Sequence, residues 1–325
     1  MNFMAPRWRV LVTDRAWPDL AIERAILEPL GVELQEAPST SEAVLADLAA
    51  KADAIICNWA PVTPRVVESA TRCRVICRSG IGLDNIAIPT ATQRRIPVTN
   101  VPDYCVGEVA DHTLALLLAC ARRVGFFHVR TKQGEYRLQA PPPPERLAGK
   151  TLGLIGLGRI GAAVAHRARA FGLSILGATG SGRDHGVGCP VVPLQELLSR
   201  SDYVSLHLPA TAATRHLMSR PQFEQMRPTA WLINTSRGSL VDEAALWQAL
   251  QQNQLAGAAL DVFDPEPPDL SQPLFRDERV LVTPHAAFVS PESLAELRTR
   301  VARQVAAVLN GERPENIVNP QVFST

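Results

Sequence analysis

Short apolar runs alternate with longer amphipathic stretches along this chain. The short runs are rich in Val, Ile and Leu, as is typical of strands buried in a parallel sheet. The longer stretches have the composition and apolar spacing of helices. The pattern predicts strands at 9–13, 32–34, 54–57, 74–77, 97–102, 152–155, 174–178, 203–208, 229–234, 257–263 and 279–283. It predicts helices at 20–30, 41–50, 64–70, 106–123, 160–171, 241–252 and 290–309.

The regular alternation of strands and helices predicts an α/β protein with doubly wound parallel sheets. A chain of 325 residues is long enough for about two hydrophobic cores. Residues 1–103 form one α/β series, and the second begins at Thr151. Between them, residues 126–147 are predicted to form an irregular, proline-rich arm. Such an arm is either an exposed linker or a segment that wraps a partner subunit.

Composition excludes several classes of function. A formal net charge of +1 offers no electrostatic basis for binding nucleic acid or an anionic membrane. The longest apolar run, at 114–121, is too short to span a bilayer, and residues 1–7 contain no apolar signal core. The six cysteines are scattered without zinc-finger spacing, so we expect reduced thiols and no metal site. These features predict a cytoplasmic protein.

A glycine motif follows the predicted strand at 152–155. Gly156, Gly158 and Gly161 have the G-x-G-x-x-G spacing of dinucleotide-binding loops. The first glycine permits a tight turn, the second lets the backbone approach a pyrophosphate, and the third lets helix and strand pack closely. The helix that follows offers N–H groups to the phosphates. We therefore predict that Arg159 and Ile160, inside the motif, also contact a dinucleotide.

The next strand ends at Thr179, where NAD-binding units carry an acid that holds the ribose 2′-hydroxyl. Here hydroxyls and an arginine follow instead, at Thr179, Ser181 and Arg183. This composition slightly favours NADP(H) over NAD(H), because these groups can bind a 2′-phosphate. The alternative is that Arg183 is only a loop charge and that Asp184 replaces the missing acid.

A second glycine-rich turn, at 80–82, follows the predicted strand at 74–77. Two glycines separated by one residue can present successive N–H groups to an anion. They can equally form a tight turn that requires glycine. The sequence by itself leaves both interpretations open.

Four polar residues lie at or just beyond the ends of successive strands in the second series: Arg237, Asp261, Glu266 and His285. Ligands of open parallel sheets bind at these carboxyl ends. An arginine can bind a carboxylate and a carbonyl oxygen, a histidine can donate a proton, and a carboxylate can orient that histidine. Each residue taken singly could be a surface or loop charge. Together with the glycine loop they predict carbonyl reduction by a nicotinamide cofactor.

Several collinear segments resemble the D-isomer specific 2-hydroxyacid dehydrogenases over essentially the whole chain. They are RSGIGLDNI from Arg78, NVP from Asn100, VADHTLAL from Val109, GKTLGLIGLGRIG from Gly149, INTSRGSLVDE from Ile233, GAALDVFDPEP from Gly257 and TPHAAF from Thr283. The resemblance implies that Arg237 binds the substrate, that His285 is the acid/base, and that Glu266 is its partner.

The resemblance also assigns binding residues. It implies that the Gly80, Ile81 and Gly82 turn binds the substrate carboxylate. It implies that Asp261 and the backbone of Thr235 and Ser236 hold the nicotinamide carboxamide. Further cofactor contacts are expected at His207, Pro209, Thr214 and Ala287, and Asn58, Trp59 and Phe288 are candidates for the substrate pocket. Trp59 could equally be a residue of the domain core.

The implied organisation has two Rossmann-like domains with the active site in the cleft between them. Residues 1–103, completed by 290–325, would form the substrate domain, and residues 104–289 would form the NAD(P)-binding domain. The long helix from Val106 and the arm after it would form a homodimer interface. The segment from His285 also resembles the corepressor branch, the C-terminal-binding proteins. The alternative to a dehydrogenase is therefore a dimeric interaction protein that senses NAD(P)H.

Overall fold

The computed structural model describes residues 7–324. Residues 1–6 lie outside the described residues. They make up most of the segment that is predicted to contain no signal core. The chain divides into two compact units, one containing the residues up to Tyr104 and from Ser290 onward, the other Cys105–Val289. These boundaries fall within one residue of those expected at 103 and 290. The assignment of substrate to one unit and cofactor to the other stays a prediction.

The secondary structure alternates as the sequence pattern indicates. The strands are β1 Trp8–Val12, β2 Val32–Glu36, β3 Ala54–Cys57, β4 Ile76–Arg78, β5 Val98–Thr99, β6 Thr151–Ile155, β7 Ser174–Ala178, β8 Tyr203–Leu206, β9 Trp231–Asn234, β10 Gly257–Leu260 and β11 Val280–Val282. The α-helices are α1 Ala21–Leu27, α2 Glu42–Ala49, α3 Pro64–Ser69, α4 Ile88–Gln93, α5 Val106–Arg122, α6 Val124–Lys132, α7 Arg159–Ala170, α8 Leu194–Arg200, α9 Arg220–Phe223, α10 Glu243–Gln251, α11 Pro273–Arg276 and α12 Pro291–Leu309.

The first unit contains a five-stranded parallel sheet in the order β2-β1-β3-β4-β5. Its central strand β3 is completely buried, because apolar helices cover both faces of the sheet. Helix α12 packs against α1. There Arg298 makes a two-pronged ion pair with Glu23, at 2.9 and 2.8 Å, and both side chains are buried. This pairing places the C-terminal helix in the same unit as the N-terminal strands.

The second unit contains a six-stranded parallel sheet in the order β11-β10-β9-β8-β6-β7. The chain runs from β6 to β7 on one side and then returns to β8 on the other. The carboxyl ends of β6 and β8 therefore form the topological switch point, where open α/β sheets bind ligands. Both sheets are parallel and flanked by helices, which confirms the predicted α/β class.

The prediction of an irregular arm at 126–147 is wrong for the first part of this segment, because α6 covers Val124–Lys132. Arg123, with a φ of 55°, ends α5, and no proline occurs before Pro141 to prevent a second helix from starting. The short helices α4, α9 and α11 were also not predicted. They contain four to six residues, too few for an amphipathic period to be recognised.

The six cysteines all lie within residues 7–324 and are free thiols. Five of them are buried, and burial raises the pKa of Cys57, Cys73 and Cys77 to about 12. They are therefore protonated and unreactive at neutral pH. Among the helices of the described range, none is long and apolar enough to cross a membrane.

Candidate active site

The glycine loop joins β6 to α7 at the switch point. Gly156 has a φ of 97°, a conformation that favours glycine. A Cβ there would lie 2.1 Å from the carbonyl oxygen of His207, and a Cβ on Gly161 would lie 2.3 Å from that of Gly156. Both clashes are with backbone atoms, which cannot move aside without disturbing the sheet. The first and third glycines are therefore required by the packing of the loop itself.

Gly158 differs from the other two glycines. It is the N-cap of α7, and a Cβ built on it meets no heavy atom within 4 Å. No side chain caps this end of the helix in the described structure. The open space in front of Gly158 and the amides of the first turn of α7 form a cradle for an anion. The residues present fit the pyrophosphate of a dinucleotide, with Arg159 and Ile160 in that first turn.

The loop after β7 is organised by hydroxyl groups. Thr179 Oγ1 lies 3.3 Å from Ser181 Oγ and donates to the carbonyl of Arg183 at 3.0 Å. Asp184 turns away from this cluster, since its two carboxylate oxygens accept the amides of Gly186 and Gly188 at 3.2 and 3.0 Å. These backbone hydrogen bonds lower the pKa of Asp184. This geometry favours a structural role for Asp184 over that of a substitute ribose ligand.

The loop after β8 contains three further residues of the predicted cofactor set. His207 Nε2 lies 2.9 Å from Ser205 Oγ, and burial lowers the pKa of this imidazole to about 4. The ring is therefore neutral beside the glycine loop at physiological pH. Thr214 Oγ1 donates to the carbonyl of Pro209 at 2.8 Å and closes the turn between them.

The segment after β9 carries Thr235, Ser236 and Arg237. Thr235 Oγ1 lies 2.9 Å from Thr113 Oγ1, and Ser236 Oγ donates to the Leu208 carbonyl at 2.7 Å. The Arg237 guanidinium donates to the Ser236 carbonyl at 2.7 Å. A Cβ on Gly238, the next residue, would lie 1.9 Å from the carbonyl carbon of Phe263. This close backbone approach brings the Arg237 segment against the one that carries Glu266.

His285 and Glu266 form a direct pair. His285 Nδ1 lies 2.7 Å from Glu266 Oε2, and Glu266 Oε1 accepts the Phe263 amide at 2.9 Å. Burial alone would raise the pKa of Glu266, but the His285 hydrogen bond and charge, the Phe263 amide and the charge of Arg237 together lower it. Because the carboxylate is an acceptor, Nδ1 is the donor of this hydrogen bond.

Asp261 is completely buried at the end of β10 and holds the loop around His285. Its Oδ1 accepts Thr283 Oγ1 at 2.5 Å and the Ala286 amide at 2.9 Å, and its Oδ2 accepts the Ala287 amide at 2.9 Å. The amide of His285 also donates to the Asp261 carbonyl, at 2.7 Å. Asp261 therefore positions the histidine, a role that the sequence did not indicate.

His112 and Thr113, on α5, lie beside the residues described above. The sequence did not predict them as site residues. His112 Nε2 lies 3.1 Å from Thr283 Oγ1 and 3.5 Å from Asp261 Oδ1. The available signal was their position inside the family segment VADHTLAL from Val109, where with Asp111 they interrupt an otherwise apolar run. Phe288 packs its ring edge-on to His285, with centroids 5.8 Å apart.

The predicted turn at 80–82 lies in the first unit, after β4. Gly80 has a φ of 153°, and its amide donates to the Arg78 carbonyl at 3.0 Å. A Cβ on Gly80 would lie 2.6 Å from the Arg78 guanidinium. The tight-turn explanation therefore accounts for Gly80, whereas within residues 7–324 the amides of Ile81 and Gly82 donate no hydrogen bond.

Asn58 and Trp59 follow β3 in the same unit. Asn58 is buried, and its Oδ1 accepts Arg78 Nη1 at 3.1 Å. The backbone amides of both residues donate to Asp14, at 3.0 and 2.6 Å. The Trp59 side chain is 44% exposed, so Trp59 is not a residue of the domain core.

Comparison with known proteins identifies the family. Residues 114–287 match the model of the NAD-binding domain of D-isomer specific 2-hydroxyacid dehydrogenases. A glyoxylate reductase of Korarchaeum cryptofilum is 39% identical over 323 residues, which cover 97% of this chain and 96% of that protein. The chain belongs to this family. The predicted family, fold and enzyme class are confirmed.

Two solved structures are similar to this chain over nearly their full length. A D-lactate dehydrogenase of Aquifex aeolicus, complexed with NAD and lactic acid, has a TM-score of 0.86 and 29% identity, covering 95% of this chain and 99% of that one. An NADPH-dependent glyoxylate/hydroxypyruvate reductase of Sinorhizobium meliloti, with NADP and malonate, has a TM-score of 0.87 and 30% identity, covering 98% of each. This 2-hydroxyacid dehydrogenase therefore interconverts a 2-oxoacid and a 2-hydroxyacid with a nicotinamide cofactor.

Proposed function

We propose that this dehydrogenase interconverts a small 2-oxoacid and its D-2-hydroxyacid, with His285 as the acid/base. The observation that carries this proposal is the His285–Glu266 pair at 2.7 Å, on a loop that the buried carboxylate of Asp261 holds in place. Glu266 orients the imidazole and stabilises its positive charge. His285 then gives a proton from Nε2 to the carbonyl oxygen during reduction and removes it during oxidation.

When bound, the nicotinamide would supply the hydride for C2 of the 2-oxoacid and would accept it in the reverse direction. Arg237 anchors the substrate carboxylate and polarises the carbonyl, since its planar fork matches that geometry. The amides of the 80–82 turn would bind a carboxylate, and the unengaged N–H groups of Ile81 and Gly82 support this role. Asn58, Trp59 and Phe288 are proposed to contact the substrate side chain.

The substrate itself is proposed to be glyoxylate, hydroxypyruvate or another small 2-oxoacid. Several relatives carry the name glyoxylate reductase, including that of Korarchaeum cryptofilum. The relatives reported above are all enzymes, which supports the dehydrogenase over the alternative of an interaction protein that senses NAD(P)H.

The cofactor would lie along the carboxyl edge of the second sheet. The glycine loop would hold the pyrophosphate, and the backbone of Thr235 and Ser236 would hold the carboxamide. The buried Asp261 carboxylate, which was expected to contact the carboxamide too, would instead hold the loop beside it, because Thr283, Ala286 and Ala287 occupy its oxygens. The rest of the cofactor site would be lined by His207, Pro209, Thr214 and Ala287. We propose a preference for NADP(H), because Thr179, Ser181 and Arg183 offer hydroxyls and a cation, whereas Asp184 is engaged by two backbone amides.

We also propose that the protein is a homodimer that pairs through α5, α6 and the arm that follows. Four large apolar side chains in this segment are exposed, which supports its burial by a second copy. They are Val124, Val129, Tyr136 and Leu138.

Replacement of the proposed acid/base tests the mechanism. We expect His285→Asn to lower kcat by about 10³-fold, since a positioned proton donor contributes about 10² to 10⁴-fold. The dissociation constant for the nucleotide should change less than about twofold, because the cofactor-binding contacts remain. Stopped-flow kinetics and fluorescence titration measure the two quantities.

His166→Asn is the matched control, because His166 is exposed on α7 of the same unit. It should leave both quantities unchanged. Near-normal turnover in His285→Asn would contradict the assignment. A panel of 2-oxoacids with both nucleotides identifies the substrate, and no reduction of any acid by the wild type would favour the interaction protein.

A further inference from the structure

We propose that His112 and Thr113, adjacent residues of α5, position the proton donor and the nicotinamide relative to each other. Both are positioning residues, because each acts through a segment at the carboxyl edge of the sheet. His112 acts through the segment that carries His285, and Thr113 acts through the one that carries Thr235. This inference rests on the proposed function, which assigns the proton to His285 and the carboxamide to the backbone at 235–236.

Helix α5 is a fixed reference for both segments, because its apolar face belongs to the core of the unit. Leu114 and Leu117 are buried in one cluster with Ile233 of β9 and Ala259 of β10. Close packing of this kind gives a helix one position against the sheet that it covers. A hydrogen bond from α5 to the end of a strand therefore fixes the position of that strand end.

The hydrogen bonds of His112 have a defined direction. Thr283 Oγ1 donates its single proton to Asp261 Oδ1 at 2.5 Å, so it accepts from His112 Nε2, which lies 3.1 Å away. His112 therefore carries a proton on Nε2. The result is a chain of two hydrogen bonds that ends on a completely buried carboxylate. Each bond strengthens the other, because both polarise the hydroxyl between them.

This chain ends on the carboxylate that holds the His285 loop. Asp261 Oδ1 also accepts the amide of Ala286, and Oδ2 accepts that of Ala287. The His285 amide donates to the carbonyls of both Asp261 and Thr283, at 2.7 and 3.0 Å. Without the imidazole of α5, the Thr283 hydroxyl loses its donor and can rotate away from the carboxylate. The loop would then hold His285 less firmly.

Thr113 holds the second segment from the next position of the helix. It is completely buried, and its hydroxyl donates to the Val109 carbonyl within α5 at 2.7 Å. That hydroxyl therefore accepts from Thr235 Oγ1, which lies 2.9 Å away. The side chain of Thr235 is thereby tied to α5, which fixes the backbone of its segment.

The two segments need such a connection because they follow strands that are not neighbours. In the described six-stranded sheet β10 lies between β9 and β11, so the sheet does not join these two strands directly. The nicotinamide would be held after β9, and the proposed proton donor follows β11. A misplacement of about 1 Å between reacting groups can lower a rate by about 10²-fold. Adjacent residues of one helix therefore set a distance on which the reaction depends.

A double-mutant cycle tests the role of His112. We expect His112→Leu to lower kcat by about tenfold, because it keeps the volume but removes the donor, and to change the dissociation constant of the nucleotide less than about twofold. In the His285→Asn background the same substitution should change kcat less than about twofold, since the group that it positions is gone.

Two further variants probe the same chain of hydrogen bonds. The side-chain amide of His112→Gln can donate from nearly the place of Nε2, so kcat should return to within about threefold of the wild type. Thr283→Val breaks the chain at its next link and should lower kcat at least as much as His112→Leu. His166→Leu is the control, because His166 is exposed on α7, and it should leave kcat and nucleotide affinity unchanged.

Thr113→Val tests the second segment, because it keeps the shape of the side chain and removes the hydroxyl. It should weaken binding of the preferred reduced dinucleotide, NADH or NADPH, by about fivefold, as expected for one lost hydrogen bond. Binding of the matching ADP-ribose, which lacks nicotinamide, should change less than about twofold. Calorimetric titration measures both affinities.

Wild-type kcat in both His112→Leu and Thr283→Val would overturn the inference. So would a loss that is equally large in the His285→Asn background, since it would assign His112 a purely structural role. Equal weakening of both ligands in Thr113→Val, or of neither, would overturn the role of Thr113. Near-normal turnover in His285→Asn alone would instead refute the proposed function, and the inference with it.

Discussion

At the scale of single residues, the proposed proton transfer depends on how His285 is held. Its φ of 52° is unusual for a residue with a side chain. The conformation is maintained because the His285 amide donates to the Asp261 carbonyl at 2.7 Å, while the Asp261 carboxylate holds the next two amides. Glu266 then pairs with Nδ1. The proposed proton donor is thus oriented from both its backbone and its ring.

We expect Glu266→Gln to lower kcat by about 10²-fold, because the amide cannot stabilise a charged imidazole. The lowered pKa of Glu266 also predicts an effect on stability. A carboxylate with a depressed pKa adds stability above its unfolded value, about 4.3, and loses it as the pH falls through the folded value. The Tm of the variant should therefore lie below that of the wild type at neutral pH, and the difference should vanish in acid.

Thermal melts across a pH series, together with steady-state kinetics, measure both effects. Glu224→Gln is the control, since Glu224 makes an exposed ion pair with Arg220 on α9. Glu224→Gln should have the kcat of the wild type, and its Tm should equal that of the wild type at every pH. A Tm difference for Glu266→Gln that is independent of pH would contradict the role given to its charge.

At the scale of elements, the glycines of the loop between β6 and α7 are needed for two different reasons. Gly156 and Gly161 are required by protein backbone, at 2.1 and 2.3 Å from where a Cβ would lie. Gly158 has no such neighbour. No packing within the protein therefore requires the second glycine, and we propose that it is needed for the dinucleotide that binds in front of the helix.

Alanine substitutions distinguish these reasons. Gly158→Ala should leave the Tm within a few degrees of wild type but weaken nucleotide binding by about tenfold or more, since the methyl group occupies the approach of the pyrophosphate. Gly156→Ala should instead lower the Tm strongly, because it combines a positive φ with a backbone clash. Calorimetry and thermal melts measure these effects. Unimpaired nucleotide binding in Gly158→Ala would place the pyrophosphate elsewhere.

At the scale of the whole molecule, the chain builds two units, each around its own parallel sheet. Only the second has the glycine loop, and it also carries α5, α6 and the arm. The exposed apolar side chains of residues 124–138 are unusual for a surface in contact with water, with Tyr136 at 95% and Leu138 at 87% exposure. This surface is the one we propose for pairing with a second copy.

We expect the wild type to sediment with twice the mass of the chain. The double substitution Tyr136→Lys and Leu138→Lys should shift it toward the monomer, since charged side chains would have to be buried at the interface. Phe171→Lys is the control, because Phe171 is 44% exposed in the same unit but outside this segment. A wild type that is monomeric at micromolar concentration would refute the proposed dimer.

The sequence by itself determined the α/β class, the order of nearly all long elements, the glycine loop and the residues at the strand ends. These features are encoded locally, because alternation, glycine spacing and strand ends depend on residues close in the chain. The resemblance of collinear segments then assigned roles to Arg237, Glu266 and His285. The existence of α6 was not determined in this way, since the prolines at 141–144 suggested an irregular arm.

Only the tertiary structure decided how the site is held. His112 and Thr283 are 171 residues apart, yet they meet because α5 lies beside the edge where β10 and β11 end. The same assembly gave the Asp261 carboxylate its partners, which lie 22 to 26 residues along the chain. Of the three glycines in the loop between β6 and α7, it left open space only in front of Gly158. Such contacts join distant segments, and a pattern of near neighbours carries no record of which distant groups the folded sheet brings together.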